Sequence, residues 1–97
     1  MFAPLTILQV ETARINEFIK SYERLVITVA RCQEGYKRDL MLTDQKTGKI
    51  IAITFWESKQ DATATEISGH YQQEVGRFTD YFTKPPVHEG YEVSIER

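Results

Sequence analysis

Residues 48–58 read GKIIAITFWES, and the parity of this stretch decides the fold. Ile50, Ala52, Thr54 and Trp56 alternate with Ile51, Ile53 and Phe55, so a strand here sends the two sets to opposite faces of a sheet. Both sets are apolar. A sheet covered by helices on one side needs only one dry face, so the second set implies that another surface covers the far side. The stretch then breaks at Glu57-Ser58, where Ser58 is placed to cap a helix with Asp61 three residues on.

Upstream, YKRDLMLT (36–43) is a second β-prone run. DQKTG (44–48) separates it from the first, a polar turn with glycine between two strands, and the pair is expected to form a hairpin. Still earlier, LTILQV (5–10) reads as a short strand. Thr12 is the expected N-cap of a helix in which Ile15, Phe18, Ile19, Tyr22, Leu25, Val26 and Val29 form one apolar stripe. That helix is expected to stop near Gly35, with Arg31 in its last turns favoured by the negative end of the dipole. After Ser58, helical spacing links Ile67, Tyr71, Val75, Phe78 and Phe82 across Gly69, until Pro85 and Pro86 end the helix. In VHEGYEVSIE (87–96), Val87, Glu89, Tyr91, Val93 and Ile95 share a parity, giving a final strand with one drier face.

The order is β-α-β-β-α-β. It predicts an α+β, ferredoxin-like domain over residues 1–97, with two helices on one face of a four-stranded antiparallel sheet. The apolar outer face predicts a homodimer in which two sheets pack face to face.

Composition narrows the function classes. The chain has 97 residues, 41% apolar and 27% charged, with a net charge of −2. No basic cluster stands out, so no nucleic-acid partner is expected. No apolar run approaches the roughly 20 residues that span a bilayer, so no membrane partner is expected either. Cys32 is the only cysteine, which excludes an internal disulfide and a cysteine-built zinc site. With no basic n-region before the first apolar residues, the expected location is the cytoplasm. His70 and His88 are eighteen residues apart without an identified carboxylate partner, and no metal site is expected.

The stretches GKIIAITFWES, HYQQEVGRFTDYF, KPP and the closing YEVSI, set in this element order, resemble the antibiotic biosynthesis monooxygenase family of dimeric α+β barrels. The resemblance runs over nearly the whole chain. It implies a pocket between sheet and helices within one subunit, in which Trp56 matches the tryptophan of the anthrone-oxidising members. Their pocket asparagine falls on Ala52 and their pocket tyrosine on Ala62. The tryptophan and histidine of the haem-degrading members fall near Thr65 and Val75, so that activity is not implied. The implied reaction is a cofactor-independent monooxygenation of a small aromatic or quinol-type substrate, with no cofactor.

Such a reaction needs a dry cavity, a donor for the substrate anion and a base titrating near neutrality. Trp56 offers an indole N–H. His70 and His88 are the candidate bases, and Tyr71 and Tyr36 could donate hydrogen bonds. Each also has a plainer reading. Trp56 suits a core anchor with its N–H on a carbonyl, Tyr71 suits helix packing, and His88 suits the surface or a dimer interface. Cys32 suits a small packed hydrophobe. Arg38 and Asp39 face opposite sides of their strand, one for an ion pair and the other for solvent. Alternatives to the enzyme are a homodimer binding a small apolar or aromatic ligand without chemistry, and a structural dimer whose interior is filled by Phe18, Tyr22, Phe78 and Phe82.

Overall fold

The computed structural model describes residues 1–67 and 76–97, with side-chain surroundings for 1–64 and 76–97. Four strands form one antiparallel sheet in the order β2-β3-β1-β4: β1 (Phe2–Gln9), β2 (Tyr36–Asp44), β3 (Lys49–Trp56) and β4 (Val87–Glu92). The ferredoxin-like arrangement expected from the sequence is therefore observed. Strand β1 begins earlier than the expected Leu5 and occupies a central position. Pro4 has no N–H to give a central ladder, and the structure accommodates it locally. The β1–β3 register runs from Leu5↔Ile53 to Gln9↔Lys49 and resumes at Phe2↔Trp56, while Pro4 pairs with Gly90 on the β4 side.

The hairpin is as anticipated. Gly48 takes φ +79 at its end, and a Cβ there would run into the Val10 carbonyl oxygen, so the turn requires glycine. Gly48 C=O in turn accepts the Val10 N–H at 3.0 Å. A register shift between Tyr36 and Arg38 marks a bulge near the start of β2.

The first helical segment departs from the expected single helix. Thr12–Arg14 form a 3₁₀ turn, and Thr12 lies inside it rather than capping it. The residue ahead, Glu11, makes no side-chain cap bond. Helix α1 (Ile15–Tyr22) comes next, then a π-helical turn over Glu23–Ile27, then a final short turn, α2 (Thr28–Ala30). The extra residue per turn rotates α2 relative to α1, and the helix ends before Gly35 (φ +83). The apolar stripe is nonetheless the buried face: Ile15 and Phe18 are fully enclosed, and Ile19, Tyr22, Leu25 and Val26 pack against the same core.

Helix α3 (Lys59–Ile67) starts as the sequence indicates. The Asp61 N–H donates to Ser58 Oγ at 3.1 Å, and the Ser58 hydroxyl donates to Asp61 Oδ2 at 3.0 Å. Residues 76 and 77 are helical, and Thr79–Tyr81 form a 3₁₀ turn. Phe82, expected on the helix from its spacing, is not helical. It makes a β-bridge to Val10, and Thr83 N–H donates to the Gln9 carbonyl at 2.8 Å. A distant backbone partner thus overrides local periodicity before the prolines are reached. The expected stripe positions Tyr71 and Val75, and the Gly69 kink, lie outside the described residues.

The core sits between sheet and helices, around Leu8, Val10, Ile15, Phe18, Ile50 and Phe78. Phe18 is its hub, with the rings of Tyr22, Phe78, Tyr81 and Phe82 centred 5.2–6.2 Å away. Each such ring removed from water contributes about 1.5–3 kcal/mol.

The opposite face of the sheet carries Ala3, Leu5 and Ile7 of β1, Leu40 and Leu42 of β2, Ile51, Ile53 and Phe55 of β3, and Val87 and Tyr91 of β4, by the observed registers. Leu40, Leu42, Val87 and Tyr91 are 45–54% exposed. The drier face of β4 expected from its sequence is therefore this outer one, and in the single chain every β4 residue is exposed.

Candidate functional site

The strand registers place a specific set of side chains on the helix-directed face. Ala52 pairs with Met41 on one side and Thr6 on the other, and Thr6 pairs with His88. Met41, Ala52, Thr6 and His88 thus form one row across all four strands. The next row contains Asp39, Thr54, Pro4 and Gly90, and the one beyond it Tyr36, Trp56, Phe2 and Glu92. Ala62 of α3 is also enclosed at this end, and Ala52, Trp56 and Ala62 are 6%, 4% and 3% exposed.

Trp56 is a helix-side residue, as its parity indicated. Its indole N–H does not reach a carbonyl; it donates to Thr54 Oγ1 at 2.9 Å, two residues back on the same face. The ring meets Tyr36 edge-on, with centroids 5.9 Å apart. A ligand seeking the indole N–H must compete with the threonine.

His88 is exposed, but it does not lie on the outer, interface-like face. The apolar parity of β4 is the outer one, so the histidine points to the helix side. There its Nδ1 lies 3.0 Å from the Thr6 hydroxyl, a hydrogen bond whose donor depends on the tautomer. His70 and Tyr71 lie outside the described residues, as do any contacts they make with this face.

Asp39 and Tyr36 form a feature that the sequence reading missed. Asp39 is half-buried rather than solvated, and the Tyr36 hydroxyl donates to its Oδ2 at 2.5 Å. Burial pushes the Asp39 carboxyl above its ordinary range, against the opposing pull of the Tyr36 hydrogen bond. Burial also raises the Tyr36 hydroxyl, helped by the neighbouring carboxylate, to about 12. In a regular strand, residues three apart face opposite ways. The bulge between Tyr36 and Arg38 restores them to one side, a parity change that no residue type in YKRDLMLT announces.

Arg38 faces outward as its alternation with Asp39 requires. Its guanidinium stacks over Phe55, 4.5 Å from the ring centre, and pairs with Glu96 at 3.3 Å. An open pocket of about 340 Å³ at this end is lined by Met1, Lys37, Arg38, Glu96 and Arg97. It is separate from the Ala52–Trp56 face. Cys32 is exposed rather than packed, with its thiol directed to the Thr28 carbonyl at 3.6 Å. Among the described residues, no group of three or more His, Cys, Asp or Glu is arranged to hold a metal ion. Among them, too, no helix is long and apolar enough to cross a membrane.

Chemically, this part of the helix-directed face offers two buried alanines, two aromatic rings and a phenol–carboxylate pair on β2, with an exposed hydroxyl–imidazole pair on β1 and β4. It combines apolar walls with a few polar groups and a carboxyl raised by burial, features found in small-molecule sites.

No family model matches the chain, and no curated protein matches it. Solved structures do. A Nitrosomonas europaea protein named as a candidate antibiotic biosynthesis monooxygenase is 18% identical, with a TM-score of 0.78 over 98% of this chain and 100% of that one. A Bordetella bronchiseptica protein named in the same way is 11% identical, with a TM-score of 0.79 over 97% of each chain. Rv0793 from Mycobacterium tuberculosis is 14% identical, with a TM-score of 0.76 over 98% of this chain and 96% of that one. At such identities the shared property is the fold.

Proposed function

We propose that the Ala52–Trp56 end of the interior binds a small aromatic or quinol-type ligand, and that the chain acts there as a cofactor-independent monooxygenase. The observation that carries this reading is the cross-strand row in which the Thr6–His88 pair faces the same side as Ala52. It sets an imidazole on the same face as Ala52, two strands across the sheet.

In this reading the ligand lies on Ala52 and Ala62, with Trp56 as a wall. His88 accepts the proton of a substrate hydroxyl, and the Thr6 hydroxyl holds the imidazole in a productive orientation. The substrate anion is electron-rich enough to reduce molecular oxygen itself. The protein supplies orientation, proton acceptance and a water-poor environment rather than a redox group. The candidate base His70 and the candidate contact Tyr71 belong to the same reading. So does a homodimer, through the outer face carrying Leu40, Leu42, Val87 and Tyr91.

A second reading has its own support. Ala52, Trp56 and Ala62 are all nearly inaccessible, and the indole N–H is already bonded, which suits a non-catalytic ligand binder or a structural dimer of the same fold.

Oxygen uptake, followed together with Trp56 fluorescence during titration with quinols and hydroxylated fused-ring aromatics, decides between them. Saturable quenching with oxygen consumption, reduced at least tenfold in His88→Ala and lost in Trp56→Phe, is expected of the oxygenase. Quenching without uptake assigns the binder, and no response assigns the structural dimer.

A further inference from the structure

Asp39 is left unexplained by a site whose base is His88. It is a half-buried carboxylate on the helix-directed face with one described hydrogen bond, from Tyr36. The described ion pairs, Arg14–Glu17, Lys37–Glu57 and Arg38–Glu96, do not include it. A carboxylate oxygen has two lone pairs, so one donor leaves most of this group's accepting capacity unused. Burying a charge with so little compensation is costly, and a residue that bears such a cost commonly serves a ligand.

Its position fits that role. Asp39 sits directly across from Thr54 and diagonally from Ala52, within reach of whatever lies on that alanine. Around it, Tyr36 shares its strand, and Thr54 and Trp56 bring no charge from β3. Arg31, beyond the end of α2, acts on the Tyr36 hydroxyl. His88 lies three strands away. With neighbouring strands about 4.8 Å apart, β2 and β4 are separated by about 14 Å, and Asp39 and His88 stand one row apart along the strands. The interval left between them suits a fused two-ring aromatic with a hydroxyl at each end.

We propose that Asp39 is a second ligand-binding station that accepts a hydrogen bond from a distal hydroxyl, so that the site selects fused-ring diols over monohydroxy aromatics. The Tyr36 hydroxyl aims the carboxylate, holding one oxygen and leaving the other for the ligand. No bond is made or broken at this station. The proposal rests on the ligand site described above but not on its chemistry, since it concerns recognition alone.

The test is calorimetric titration of the full chain with a naphthalenediol bearing one hydroxyl on each ring, and with its monomethyl ether. A hydrogen bond to a charged acceptor predicts that the wild type binds the diol about tenfold more tightly or better. Asp39→Asn, which keeps the shape, brings the two affinities within about threefold while ether binding is unchanged. Tyr36→Phe keeps the preference, because the acceptor remains. Equal binding of diol and ether by the wild type, or a full preference retained in Asp39→Asn, overturns the proposal. If a monophenol binds and is oxidised while the diol has no advantage, Asp39 alone loses its role. A diol preference without oxygen consumption retains the Asp39 station and removes the oxygenase. Binding of neither compound removes both.

Discussion

The two ends of the helix-directed sheet face obey different rules. Around Leu8, Val10 and Ile50 the space is filled by rings, with Phe18 at the centre and Tyr22, Phe78, Tyr81 and Phe82 about it. Arg14 closes the outside by lying over Tyr81, 4.0 Å from the ring centre. Farther along the same strands, Ala52, Thr54, Asp39, Thr6 and His88 face the helices together with Met41, Tyr36, Trp56 and Phe2. Small and polar groups are interspersed among the larger ones at this end, as they are not within the core cluster at the first. Packing explains the first end completely. It does not explain the second, because a chain selected only for stability would place Leu or Val where Thr54 and Asp39 stand.

The strongest way to sharpen this contrast is to empty the filled end. Phe18→Ala is expected to cost about 3–5 kcal/mol in urea unfolding, enough to threaten folding in so small a domain. The converse change fills the other end: Ala62→Leu should cost less, about 1–3 kcal/mol from overpacking, and should abolish any ligand response of Trp56. A cost near zero with ligand binding intact would show that the two ends do not differ as described.

Asp39 gives a smaller and pH-dependent effect. Its carboxyl is raised above the ordinary 3.8 by burial, so the folded state holds that proton more tightly than the unfolded state. The corresponding stability is present below pH ~4 and is lost as pH rises through the folded value. Asp39→Asn should therefore flatten thermal stability across that acidic interval and leave the protein at least as stable at neutrality. A loss of stability at neutrality would instead make the Tyr36–Asp39 bond a structural strut. At the alkaline end, Tyr36 should titrate near 12, seen as a late phenolate absorbance step that Tyr36→Phe removes.

The smallest effect belongs outside both ends. Lys37 and Glu57 approach within 2.6 Å but are both well exposed. Lys37→Ala should leave the denaturation midpoint unchanged within error, as solvent-screened pairs usually do.

The legible parts of this molecule were those determined locally. The two-sided apolarity of KIIAITFW comes from a period-two pattern, and the Ser58 cap from four adjacent residues. The stripe from Ile15 to Val26 identified the buried helix face. The π turn did not show, because a single slipped hydrogen-bond register leaves the apolar spacing almost unchanged. Phe82 was misread because its partner, Val10, is seventy-two residues away in sequence. At the candidate site, the shared face of Ala52 and Trp56 followed from strand parity, whereas the sequence did not say which of Arg38 and Asp39 would be paired, and the Tyr36–Asp39 bond did not show. That bond depends on one bulge. Strand parity is reliable only while the ladder is regular, and the Tyr36–Asp39 pair lies across the irregularity.

That bulge also bears on how the chain finds its pairing during folding. In most half-buried strands a one-residue slip exposes the apolar side and is rejected at once. Strand β3 has apolar residues on both sides, so a slipped hairpin would look nearly as good to the hydrophobic effect. Register must then be set at the two ends of the ladder. Gly48, with its left-handed backbone and its closeness to Val10, fixes the turn. The Tyr36–Arg38 irregularity fixes the opposite end, much as bulges pin strand pairing in engineered sheets. The hairpin is thus keyed at both ends, and deleting Lys37 would be expected to yield a mixture of strand alignments rather than a uniformly weakened protein.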